Sequence, residues 1–126
     1  MKTTDWTDWK YPAKPYDLRE RLLVFACVMV EVVQYLHTRG PIAAALSYQV
    51  LKSATSAGAN YEEADDGSSP KDAAAKRRIV LRELKETRFR LQVLRRTGLL
   101  TPVQDQVIGE SAELIKILAA LLRNAA

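Results

Sequence analysis

The chain has 126 residues, of which 48% are hydrophobic and 27% charged, and its net charge is +4. That suffices for one domain whose core needs neither disulfides nor metals, and the single cysteine, Cys27, excludes an internal bridge and suits a buried thiol in a reducing cytoplasm. The longest unbroken apolar run, residues 22–30, is too short to span a bilayer, and residues 1–15 lack the apolar stretch of a signal peptide, so a soluble protein is expected.

Residues 1–15 place Trp6, Trp9 and Tyr11 beside Pro12 and Pro15, which forbid a regular helix and predict an extended arm. The arm's aromatics suit a covering role over the body or a neighbouring subunit, with base stacking as the alternative. Residues 16–126 then form the domain. Asp17 and Glu20 stand in capping-box spacing and open a first helix that runs to about His37, where Gly40-Pro41 breaks it. Its core stripe is Leu18, Leu22, Phe25, Ala26, Met29, Val33 and Leu36. Val24, Val28 and Val32 add a second stripe, and Leu23, Cys27 and Val30 a third, more than one partner helix covers. Self-association is therefore expected.

Pro41 starts a second helix carrying Ile42, Leu46, Val50, Ala54, Ala57 and Tyr61 to about Asp65. Within it, residues 53–64 are almost all small, which lets a neighbouring backbone approach closely, while Asn60 and Glu63 would need partners if they pointed inward. After a polar turn, Ser69-Pro70-Lys71-Asp72 starts a third helix reaching about Thr97, with Ala73, Val80, Leu84, Thr87, Leu91 and Leu94 on its inner face and Gly98 as its stop. Thr101-Pro102-Val103-Gln104 opens the fourth, whose apolar residues are Val103, Val107, Ile108, Leu114, Ile115, Leu118, Leu121 and Leu122. Four helices joined by short turns predict an all-α, antiparallel up-and-down four-helix bundle.

The residues Gln49, Lys52, Ser53 and Ser56, then Gly58-Ala59-Asn60-Tyr61-Glu62-Glu63-Ala64, then Ser69, Asp72 and Lys76, form a recognisable series. It continues through residues 81–91 and ends at Glu113-Leu114 and Ile117-Leu118. Across residues 16–124 the chain resembles the bacterial four-helix bundle proteins related to those encoded in intervening sequences of 23S ribosomal RNA genes. The resemblance implies an up-and-down bundle assembled as a ring-shaped homopentamer. Accessory proteins of diversity-generating retroelements, which are distantly similar, bind nucleic acid and a reverse transcriptase. The Trp6/Trp9 arm lies outside the family pattern.

The third helix holds the main electrostatic signal. Between Lys76 and Arg96 nine basic residues face only Glu83 and Glu86, a local balance of +7 that leaves the rest of the chain at −3. On a helical wheel Arg77, Arg88 and Arg95 lie close in angle, and Lys85, Arg78, Arg96 and Arg82 extend the sector away from the apolar stripe. Such a sector suits a phosphate backbone, in RNA or DNA, with affinity that falls as salt rises. A solvated face with surface pairs such as Arg82–Glu86 and Glu86–Arg90, or a subunit contact, is the competing reading. Asn60 and Glu63, with Lys85 or Arg88 as ionic partner, are expected to form a structural polar cluster that fixes helix register rather than a reactive site.

Catalytic chemistry finds little to build on. His37 is the single histidine and sits at a helix end, Cys27 has no cationic neighbour, and the position three before His37 is Gln34, so the Glu-x-x-His pair of a di-iron bundle is absent. The acidic residues Glu62, Glu63, Asp65 and Asp66 lack the periodicity of a calcium loop. No enzyme activity, cofactor or metal is expected. The two functional expectations are an oligomeric nucleic-acid-binding protein and an oligomeric protein-interaction scaffold that binds no nucleic acid.

Overall fold

The structure, a computed structural model, describes residues 17–67 and 69–124. The predicted arm, with Trp6 and Trp9, lies outside the described residues. The fold is all-α: α1 (Leu18–Leu36), α2 (Pro41–Asp65), α3 (Pro70–Arg96) and α4 (Asp105–Asn124), with no strand among the described residues. Each start has a local cause. Asp17 accepts a hydrogen bond from the Glu20 N–H at 3.3 Å, and Ser69 accepts one from the Asp72 N–H at 3.2 Å. The fourth start differs slightly from expectation, because Pro102–Gln104 forms a 3-10 turn before α4. There the side chain of Gln104, fully buried, accepts from the Thr101 N–H at 2.8 Å. Gly98, at φ +79°, ends α3 in a left-handed conformation that favours glycine, and both Leu99 and Leu100 donate back to the Leu94 carbonyl.

All four helices contribute to one core, centred on Leu22, Phe25 and Met29 of α1, Val50 and Ala57 of α2, Leu84 and Leu91 of α3, and Leu114 of α4. The expected inner faces of α1 and α3 are buried apart from Ala26, which is half-covered. The second apolar stripe of α1, Val24, Val28 and Val32, is also inside this core, so the chain itself covers it. What remains open on α1 is the third stripe: Leu23 is 48% and Val30 45% exposed, and Cys27 is half-buried rather than buried. Elsewhere the wheel misplaced residues near helix ends. Ile42, Val103 and Leu121 are exposed.

The small-residue run of α2 is a packing seam. Ser53, Ala54, Ala57 and Ala64 are buried, and a Cβ built on Gly58 would stand 3.9 Å from the Leu22 carbonyl of α1, an ordinary contact. Toward α3, the buried hydroxyls of Ser53 and Thr87 are 2.6 Å apart. Each hydroxyl also reaches a carbonyl of its own helix, Thr87 that of Glu83 at 2.8 Å and Ser53 that of Val50 at 3.2 Å, so either can donate across the helices. Of the helix pairs packed side by side, α1 and α4 touch least, and there Arg21 donates two bonds of 2.7 Å to Glu110, both side chains mostly covered. Replacing Glu110 with alanine should lower unfolding free energy by about 2 kcal/mol in a urea titration, less than the roughly 3–5 of a lone buried pair because Arg21 keeps a further interaction. A loss under about 0.5 kcal/mol would show that this clamp does not hold α1 to α4.

Tyr61, buried in the seam, has its phenol pushed above the ordinary 10.0 by burial and by Asp65, with Arg77 opposing and Asp17 adding to the rise. The folded chain therefore keeps this proton more tightly than the unfolded one. Stability from this group is intact below pH about 10 and declines as pH climbs toward the raised value. Thermal melts across that window should show a shallower decline for Tyr61→Phe than for the unaltered chain; identical slopes would contradict the assignment.

Candidate nucleic-acid interface

Because Thr87 faces α2 and Leu84, Leu91 and Leu94 face the core, the rotation of α3 about its axis is fixed, and its cations separate into three groups. The first flanks α2. Lys76 reaches Glu63 at 3.1 Å and Arg90 reaches Glu86 at 3.8 Å. Beside them Gln49, Lys52 and Ser53 of α2 line a polar cleft of about 140 Å³ with Glu83, Glu86 and Arg90. Both carboxylates of the basic stretch thus lie on this flank.

The second group lies on the opposite flank. Arg77 stacks its guanidinium over the Tyr61 ring, 5.8 Å from the centroid, and Arg88 donates to the Gln92 side-chain oxygen at 3.3 Å. The Nε atoms of both are buried without a partner among the described residues. Arg95 bonds Asp105 at 2.8 Å. Arg77, Arg88 and Arg95, the centre of the sector drawn from the sequence, are therefore engaged in the body of the protein. Helical angle alone put them together; in the fold each is only partly exposed and already holds a partner.

Arg78, Arg82, Lys85 and Arg96 form the third group. All four are exposed on the outer face of α3, and none has an ionic partner among the described residues, so the Arg82–Glu86 pair does not form. Arg78, Arg82 and Lys85 line a shallow groove of about 540 Å³ with Leu81, Glu86, Phe89 and Arg90. The sequence reading passed over Phe89, which is 67% exposed and lies in this basic row. Its signal was present: an aromatic residue on the polar side of an amphipathic helix breaks the pattern.

Asn60 and Glu63 do not make the cluster expected of them. Asn60 donates to the Ser56 carbonyl at 2.9 Å on its own helix, and Glu63 is exposed and paired with Lys76, not with Lys85 or Arg88. His37 is exposed and meets Tyr48 edge to face at 5.1 Å. Among the described residues no group of three or more histidine, cysteine or carboxylate side chains is arranged to hold a metal, and no helix is long and apolar enough to cross a membrane.

A solved crystal structure matches this chain with a TM-score of 0.76 and 30% identity, over 83% of this chain and 97% of the other. It is a protein of unknown function from the S23 ribosomal protein family of Bacteroides thetaiotaomicron VPI-5482. The chain belongs to that family. The relation to the 23S rRNA intervening-sequence proteins, read from residues 49–118, is thus supported by the three-dimensional match. No protein-family model and no curated protein matches the sequence. Within the family signature, Tyr61 and Ala64 are buried and Asn60 is bonded to its own helix, so those positions serve the fold.

The three cation groups should separate in a stability measurement. Arg77→Ala removes the contact over Tyr61 and the packing of its stem, and is expected to cost about 1 kcal/mol. Arg82→Ala and Lys85→Ala should each stay within about 0.5 kcal/mol of the unaltered chain. Equal losses in a denaturant titration would contradict the division.

Proposed function

We propose that this S23-family protein is a non-enzymatic, cytoplasmic homo-oligomer that binds nucleic acid, RNA or DNA, through the outer face of α3. The observation that carries the reading is the row of Arg78, Arg82, Lys85 and Arg96, exposed on one helix without carboxylate partners among the described residues. Cations left unpaired on a folded surface favour a polyanion, whose binding releases condensed counterions. The arrangement we propose for the helices is antiparallel, up and down; the meeting of Ser53 with Thr87 and of Glu63 with Lys76 supports it, since the two contacts run in opposite chain directions. The proposed assembly is a ring, a homopentamer by family resemblance, and the uncovered Leu23–Val30 stripe of α1 supplies apolar surface for it. In a ring every subunit repeats the basic face, and modest affinity per subunit becomes strong by multivalency.

The second reading, a protein-interaction scaffold, is favoured by an apolar groove of about 410 Å³ where Ile42 and Leu46 of α2 meet Val93 and Leu99 beside Arg39. The two readings part in one experiment. Labelled RNA and DNA should bind with an affinity that falls steeply as salt rises, and Arg78→Ala with Lys85→Ala should reduce the slope of log K against log salt by roughly 1 to 2. Light scattering on the same sample should give a particle several times the 14.1 kDa chain. An unchanged slope in the double variant would sink the assignment of the face, and no binding of either nucleic acid at physiological salt would favour the scaffold.

A further inference from the structure

Phe89 is the residue that a purely electrostatic phosphate contact leaves unexplained. It stands 67% exposed on the outer face of α3, with no ring, ion or hydrogen-bond partner among the described residues. Exposed aromatic surface of that size in a single helix face is unfavourable in water and helps neither helix propensity nor the core. Its setting is specific. From the helical rise, Lys85 lies about 6 Å, Arg82 about 10 Å and Arg78 about 16 Å from it along one side, with Arg96 about 10 Å beyond it. Leu81 gives the groove an apolar element, and Glu86, the one carboxylate lining it, is engaged by Arg90 at 3.8 Å.

We infer that the outer face of α3 recognises unpaired nucleotides, with Phe89 as a stacking platform for a base and Arg78, Arg82 and Lys85 as contacts to the adjoining phosphates. This inference rests on the nucleic-acid reading above and narrows it to single-stranded RNA or DNA. The physical reason is the accessibility of base faces. A duplex offers protein its phosphates and base edges but hides its π-faces in the stack, so a ring set among cations gains nothing from it. A strand with free bases offers both elements at once: charge along the backbone and a flat apolar face that any base possesses. Such a site binds with little dependence on sequence, because every base has a face that stacks and Arg78, Arg82 and Lys85 are assigned to phosphates rather than to base edges.

The test uses the full chain, a labelled single strand of mixed sequence, the same strand annealed to its complement, and fluorescence anisotropy at fixed salt. The single strand should bind more tightly than the duplex. Phe89→Leu should weaken single-strand binding roughly five- to a hundredfold and leave duplex binding unchanged, while Phe89→Trp should retain or strengthen it. Equal effects on both probes, or no effect of Phe89→Leu on either, would overturn the stacking role. A change in particle size for Phe89→Leu by light scattering would also overturn it, by making the ring a subunit contact. The Arg78→Ala, Lys85→Ala variant separates the two levels. If it loses binding while Phe89→Leu does not, the face binds nucleic acid without stacking. If binding survives in both variants, the broader reading falls too.

Discussion

The contact between α2 and α3 sets the terms for the rest of the molecule. Its centre is a hydrogen bond between two buried hydroxyls, Ser53 and Thr87, inside an otherwise apolar interface. Each hydroxyl also lies near a carbonyl of its own helix, at 3.2 Å for Ser53 and 2.8 Å for Thr87, so the pair is well supplied with acceptors. Polar groups in such a place are costly when unmatched, by about 1–3 kcal/mol each, and a slip or rotation of one helix would unmatch them. Small neighbours, Ala54 and Ala57 among them, allow the close approach that the short bond requires. The register of α3, and with it the direction every cation of that helix faces, follows from this contact.

Fixing the rotation of α3 turns one basic segment into three kinds of cation. On one flank Lys76 and Arg90 are matched with Glu63 and Glu86; on the other Arg77 and Arg95 are held by Tyr61 and Asp105. Of the cations between Lys76 and Arg96, only the outer row is both exposed and without an ionic, ring or hydrogen-bond partner among the described residues, and Phe89 lies in that row. The segment's large positive balance thus overstates the open charge, since much of it is spent within the fold. What remains is narrower, more linear and partly aromatic, which changes the kind of polyanion it suits.

The ends of the helices are tied by long cationic side chains as well as by the core. Arg19, at the start of α1, reaches Asp66 at 2.8 Å and Glu62 at 3.2 Å, and these carboxylates hold its guanidinium still further toward the charged form. Arg39, in the turn after α1, donates to the Gly98 carbonyl at 3.0 Å at the end of α3. Exposed contacts of this kind add little stability singly, but they orient the turns. The covered Arg21–Glu110 pair differs in kind, because it joins the most sparsely packed of the side-by-side helix pairs and loses little strength to solvent.

Four helices, the starts of α1, α2 and α3, and the inner faces of α1 and α3 were legible in the sequence alone. Those features depend on local chemistry: Asp17 and Ser69 cap their own helices, Gly98 relieves its own backbone, and the apolar period is a property of one helix at a time. The family relation was legible too, because Gly58-Ala59-Asn60-Tyr61-Glu62-Glu63-Ala64 is a specific run of residue types rather than a generic apolar period. Sequence reasoning went wrong where a second helix decides. Ile42 and Val103 continue an apolar stripe past the point where a neighbour covers it, and Glu63 pairs with Lys76 because of the register between α2 and α3. The same reason moved the candidate site. A helical wheel gives the angles between Arg77, Arg82 and Phe89 but not which of those angles points at another helix, and only the packed structure supplies that direction.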